Sequence, residues 1–331
     1  MMKQTMAGRD PAAFERLAVS REQVNSPARR NVSYLAYWLT WPVTLLECAL
    51  MTVTTVLLYW SLRLVYSRIW FSDEARRQPS RLAKQTIDAE NALGAMQTLE
   101  RIGHDSHARM YWISGTLLGL ERLGQPLPHD NDTDAGIDID DPHYADFIRA
   151  MWTSDDVVTM APQCISLKAR IQNPDLHVIP GGIIRFKASV RNADAPLKPA
   201  VKTDIFLHFR YCGGSMHGSR NSLWWNSPFG IVQKSYAERS FGVPENAHLH
   251  LTENYGDYRT EVKDFENSID CPNAMNIFSW NSLGYLLSRQ QVMLKRGRID
   301  RAGQISRRIR STILKGVFPL CLRHTRAHLG S

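Results

Sequence analysis

Six aspartates, Asp130, Asp132, Asp134, Asp138, Asp140 and Asp141, fall within the fourteen residues PHDNDTDAGIDIDD (128–141), and no Lys or Arg interrupts them. Carboxylates this close repel one another unless something positive sits among them, and a divalent cation is one such partner. Two arrangements are open. In the first, Asp130, Asp132 and Asp134 take positions one, three and five of a calcium loop. Against it, Ala135 stands where that loop needs Gly, and Asp141 where it needs a bidentate Glu. Pro126 and Pro128 also lie where the entering helix should run. In the second, Asp132 and Asp134 lie on a strand, where alternate side chains share a face. They then hold one magnesium (or manganese) ion, which takes oxygen ligands and is commonly bound by one or two carboxylates plus substrate phosphates. Upstream, the turn Ser114-Gly115-Thr116 lets backbone amides approach a phosphate closely. A turn that grips a donor phosphate, followed by an Asp-x-Asp metal pair, is what phosphate transfer needs.

The surrounding pattern predicts elements able to position these residues. Residues 72–105 are polar and helix-favouring, with Ile87, Leu93, Met96 and Leu99 at helical spacing. A short strand is expected at Tyr111–Ile113, then a helical stretch broken by Gly124, Pro126 and Pro128. Further strands are expected at Ala135–Ile139, Cys164–Ile171, Ile183–Val190 and Thr203–Phe209. Interleaved strands and helices point to an α/β (α+β) domain, a mixed sheet with flanking helices. There is no internal repeat or low-complexity tract.

Before this domain, Val43–Leu62 form a twenty-residue apolar run whose one charge is Glu47. A helix of that length spans about 30 Å, the thickness of a hydrocarbon core. Tyr34, Tyr37, Trp38 and Trp41 precede it, and Tyr59, Trp60, Tyr66 and Trp70 follow, like two interfacial belts. It starts too late and runs too long for a cleaved signal peptide. Arg63, Arg68, Arg76 and Arg77 after it outnumber Arg29 and Arg30 before it, which favours a cytoplasmic C-terminal domain. A re-entrant hairpin at Pro42 would keep both ends on that side. The sequon Asn131-Asp132-Thr133 lies inside the acidic stretch, where a glycan would obstruct the site. The expected organisation is therefore a tail (1–42), a transmembrane or re-entrant helix (43–62), a catalytic domain (72–288) and a basic C-terminal tail (289–331).

The 331 residues carry 40 basic and 32 acidic side chains, a net charge of +8, and the stretch from Arg289 to Arg326 alone carries about +10. Beside a membrane helix, such a tail suits anionic headgroups better than nucleic acid. Five scattered cysteines form no CxxC pair and imply neither a disulfide framework nor a zinc ribbon. His208, Cys212 and His217, and separately His248 and His250 on an expected strand, are weak zinc candidates without a paired Cys motif. Asp138, Asp140 and Asp141 read as solvated charge or a helix cap. Trp224-Trp225 reads as packing rather than a sugar platform.

The run Ile113-Ser114-Gly115-Thr116-Leu117-Leu118-Gly119, then Arg122, then Pro128-His129-Asp130-Asn131-Asp132-Thr133-Asp134, resembles the signature of the LicD family, which includes fukutin and fukutin-related protein. Thr203-Asp204-Ile205-Phe206 and Asn254-Tyr255-Gly256-Asp257 resemble two further family pieces, so the likeness covers roughly residues 95–260. His129 and Asn131 stand where the family usually has Trp and Asp. The resemblance implies a nucleotidyltransferase-like fold. It also implies transfer of a phospho-alcohol, such as phosphocholine, from a CDP-linked donor to a hydroxyl of a glycan or glycolipid such as lipopolysaccharide, with release of CMP. It makes Asp132 and Asp134 the metal pair, Asp204 the third carboxylate, Ser114, Gly115 and Thr116 the donor-phosphate turn, and Arg122 a phosphate neighbour. Asp130 is then the candidate general base or metal-water contact. The alternatives are nucleotidyl transfer with release of pyrophosphate, and a non-catalytic calcium-binding membrane adaptor.

Overall fold

A computed structural model describes residues 27–69, 88–262 and 265–316. The first part of the expected helix at 72–105, Trp70 and the last fifteen residues lie outside it. The described residues begin with a single helix, α1 (Pro27–Ile69), which runs through Pro42 without turning back, so no hairpin forms there. One helix, within Ala28–Ser61, is long and apolar enough to span a membrane.

Helix α2 (Ala89–Asp105) matches the described part of the predicted helix. The Asp88 carboxylate caps it by accepting from the Asn91 N–H at 3.2 Å. Leu93, Met96, Leu99 and Ile102 face the core, each burial stabilising by about 1.5–3 kcal/mol. Strand β1 (Met110–Trp112) leads directly into α3 (Ser114–Leu123), which Gly124 ends at φ 69°, a left-handed stop that glycine takes without strain. Then come β2 (Thr133–Asp138), α4 (Tyr144–Thr153), β3 (Val157–Cys164), α5 (Leu167–Gln172), β4 (Ile183–Val190) and β5 (Val201–Tyr211). Next follow β6 (Gly214–Gly218), β7 (Ser222–Asn226), the hairpin β8 (Ile231–Tyr236) and β9 (Arg239–Pro244), and α6 (Ala247–Tyr255). The short α7 (Asn267–Asp270), β10 (Ala274–Asn276), α8 (Trp280–Lys295) and α9 (Ile299–Gly316) complete the described residues.

Eight strands form a mixed sheet. β1 and β2 pair antiparallel, β2 and β5 parallel, and β5 continues antiparallel to both β4 and β6; β8 and β9 form a separate hairpin. The expected fold class is therefore present as a mixed α/β sheet with flanking helices. One expectation fails locally. Cys164–Ile171 is not a strand: β3 ends at Cys164, the Ser166 hydroxyl caps a new helix by accepting from the Ala169 N–H at 3.2 Å, and Leu167–Gln172 coil. A serine N-cap before straight-chain helix formers outweighs the apolar pattern.

The basic segment after residue 280 is helical as far as Gly316. Phe278, Leu283, Leu286, Met293, Ile305 and Ile309 make a second core with Met51 of α1. Of the aromatics ahead of the apolar run, Trp38 is exposed but two tyrosines are taken up by the domain. Tyr37 is fully buried, and the Tyr34 hydroxyl donates to Asp175.

Candidate active site

Parallel pairing of β2 with β5 sets Asp134 directly opposite Asp204. On the other side of β2, the entry to α3 closes on the same point. Ser114 starts that helix at φ 52°, a strained value for a residue with a Cβ. This turn brings the Gly115 N–H to Asp134 Oδ2 at 3.3 Å, while the buried Thr116 hydroxyl accepts from the Asp134 N–H at 2.7 Å. A Cβ on Gly115 would lie 2.8 Å from Asp130 Oδ2, so any larger residue there would push that carboxylate away. The predicted phosphate turn thus lies at the aspartates and grips Asp134 itself, with Thr116 in a buried supporting position.

Asp130, Asp132, Asp134 and Asp204, together with Ser114, Gly115 and Arg122, line one cleft of about 780 Å³. Asp134 keeps an edge open to this cleft while protein surrounds its other sides. Desolvation first, then the charges of Asp132, Asp204 and Asp130, raise its carboxyl well above the usual range, and Arg185 offsets this in part. Asp204 is buried and neutralised: Arg185 Nη1 lies 2.5 Å from its Oδ2 and Lys187 Nζ 3.3 Å from its Oδ1. Sequence reasoning missed both cations. Their signal was the alternation in Ile183–Val190, where Arg185 and Lys187 interleave with buried Ile184, Phe186 and Ala188.

Arg122, in the last turn of α3, donates to the carbonyls of Tyr258 and, at 3.1 Å, Thr260. It hangs the following loop over the cleft. Asn254, Tyr255 and Asp257 therefore reach the same space, and Gly256 turns the chain there at φ 67°. Burial raises the Tyr255 hydroxyl well above its ordinary value, with smaller contributions from Asp134 and Asp130. Asp257 is held low by the Thr260 hydroxyl at 2.6 Å.

The calcium loop does not form. No helix enters it, and from Thr133 the chain is a strand hydrogen-bonded on both sides. In the sequon, Asn131 is exposed at the cleft, while Thr133 is buried with its hydroxyl 2.9 Å from that of Thr203. Asp138, Asp140 and Asp141 lie beyond the cleft lining. Asp141 accepts from the backbone N–H groups of Arg109 and His143 at 3.2 and 2.8 Å, a turn-capping role.

The zinc candidates are also redistributed. His248 and His250 are on helix α6, not a strand, and Cys212 is exposed in the β5–β6 turn. His208 and His217 stack at 4.3 Å, and His217 stacks on Trp224 at 5.6 Å; His217 and Trp224 line the cleft, while His208 lies fully buried behind them. Burial lowers His208 well below its ordinary value, His217 to about 3 and His250 to about 4, so all three are neutral near pH 7. Among the described residues, no group of three His, Cys, Asp or Glu side chains is gathered so as to hold a metal ion unaided.

Fold and cleft together define a mixed α/β domain with an acidic, cation-flanked cleft. Compared with protein-family models and with curated proteins, the chain matches none.

Proposed function

We propose that this chain is a metal-dependent phosphotransferase that moves a phospho-alcohol from a CDP-linked donor to a glycan or glycolipid hydroxyl and releases CMP. The observation that carries the reading is the opposition of Asp134 and Asp204 across β2 and β5, in a cleft that also holds Asp130 and Asp132. The donor set suits a hard cation. The carboxylates of Asp132, Asp204 and Asp130 act on Asp134, whose carboxyl is raised first by desolvation and then by their charge, with Arg185 offsetting part of it. Asp132 and Asp134 would hold magnesium or manganese, with donor phosphates completing the shell in place of a full protein cage. Asp204 would join only by loosening from Arg185. When bound, the ion neutralises charge on the pyrophosphate.

The chain's own groups do the rest. Arg185 and Lys187 supply positive charge beside the phosphates, and Arg122 holds the loop that narrows the cleft. The acceptor oxygen attacks the distal phosphorus in line, the bond from that phosphorus to the bridging oxygen breaks, and CMP leaves. Asp130 receives the acceptor hydroxyl proton. In this reading the chemistry takes place at a membrane with the domain on the cytoplasmic face; the length and apolar character of α1 support the membrane association.

Full-length protein incubated with magnesium and CDP-choline, CDP-ribitol or CDP-glycerol should release CMP in an acceptor-dependent manner. Release of pyrophosphate from a nucleoside triphosphate instead would make it a nucleotidyltransferase. Neither product from any donor would remove the enzymatic reading.

A further inference from the structure

Helix α1 has two faces. One is docked on the domain: Tyr37 and Thr44 are buried, Glu47 accepts from Lys168 and Gln172, the Cys48 thiol meets the Ile313 carbonyl at 3.5 Å, and Met51 enters the core of α8 and α9. From Tyr34 to Thr55 these contacts follow about 32 Å of helix. The opposite face is an unbroken apolar stripe. Val32, Leu39, Leu46, Val53 and Trp60 recur every seven residues, each more than half exposed. The stripe is about 42 Å long.

A spanning helix cannot keep that docked face. If α1 crossed a hydrocarbon core of about 30 Å, it would carry α5, α8 and α9 into lipid, with the exposed charges of Lys168, Arg307 and Arg310. The contacts named above end at Thr55, and from Val56 to its end at Ile69 the helix is only about 21 Å long. A second copy of the chain is a poor cover for the stripe. A face about 42 Å by 10 Å gives roughly 420 Å², against about 800 Å² per partner in a stable interface.

We infer that α1 lies in the plane of the membrane, its stripe sunk into one leaflet of an anionic phospholipid bilayer while the domain stays in water. Depth follows from the stripe that docking leaves exposed: a helix lying in the plane of the interface buries such a face about 5–10 Å into the headgroup and acyl boundary. Charge agrees. Arg29 and Arg30 are exposed at one end of α1, and Arg307 and Arg310 are exposed on α9, which packs against it. The inference rests on the membrane reading of α1 and not on the chemistry of the cleft.

Leu35, Leu46 and Leu57 give the test. Eleven-residue steps return to nearly the same helical face, and the three side chains are 60%, 61% and 62% exposed. A nitroxide is placed at each in turn on a bioorthogonal amino acid, leaving the native cysteines intact. The full chain is then bound to vesicles of phosphatidylcholine and phosphatidylserine at three to one. The expected result is flotation with the vesicles and one common depth for the three labels. Leu35 and Leu57 near opposite surfaces with Leu46 deepest would show a spanning helix and overturn the in-plane placement, although the membrane reading would survive. No flotation would remove both. Spin–spin coupling between chains without vesicles would make a second copy the partner and also overturn it. As a control independent of the labels, Leu46→Asp should lower flotation at least tenfold with an unchanged circular dichroism spectrum. Undiminished flotation of that variant would count against the stripe.

Discussion

Asp134 and Asp204 face each other, yet their surroundings differ enough to separate their variants. Asp134 is crowded by like charge, so Asp134→Asn should fold at least as stably as the parent while CMP release falls by about 10²-fold or more. Asp204→Asn should lose turnover to a similar degree and also about 3 kcal/mol of stability, because Arg185 loses its mostly buried counter-charge. Paired CMP-release assays and thermal melts check both; full activity in either variant would remove that carboxylate from the mechanism. Asp132 and Asp134 were legible in sequence from their Asp-x-Asp spacing, although the strand begins only at Thr133, whereas Asp204 entered only through the family resemblance. Arg185 and Lys187 were not legible, because a strand pattern names a face but not the strand across from it. The buried histidines were legible only as residue types. Folded His217 and His250 titrate near 3 and 4, below the ordinary 6.5, so between these values the unfolded chain binds more protons. The histidines' contribution to stability is therefore complete above pH 6.5 and falls on acidification, by about 1.4 kcal/mol per pH unit for each histidine. Melting temperatures at pH 7 and 5 should show this fall, and His250→Leu should make it shallower.

At the scale of elements, local signals served well where one signal acted alone. Ile183–Val190 is the strand its alternation predicts, and Leu93, Met96 and Leu99 form the buried face of α2. They served poorly where a cap and an apolar run competed, as at Ser166. Helix α1 was read correctly as apolar and helical, but hydropathy does not report which face is already taken by protein. That has a consequence for truncation. A chain starting near Ser72 loses Met51 from the core that α8 and α9 share, and it uncovers Leu283, Leu286, Ile305 and Ile309. At roughly 1.5–3 kcal/mol per large apolar side chain returned to water, it should sediment as aggregate without vesicles. Sedimentation in detergent-free buffer checks this. A soluble monomer of that length would mean that α1 is a detachable peg.

Across the whole molecule, the cleft is an assembly of distant parts. Asp134 and Asp204 are seventy positions apart (204 − 134 = 70), with α4, the β3–β4 pair and α5 between them. Arg122 is more than 130 positions from the carbonyls it holds (258 − 122 = 136). Closing such loops consumes chain entropy before any contact rewards it, so these pairings form late. Helices α2, α8 and α9 are local and need not wait. In refolding from denaturant, far-ultraviolet circular dichroism should therefore recover before CMP release does, and the lag should lengthen if the β2–β5 alignment is weakened by Thr133→Gly. Simultaneous recovery would show that the pairing forms early. Parallel register thus acts as a clock as well as a scaffold: a newly made chain is compact before it is competent, and a slip by one residue would turn Asp134 to the opposite face of the sheet.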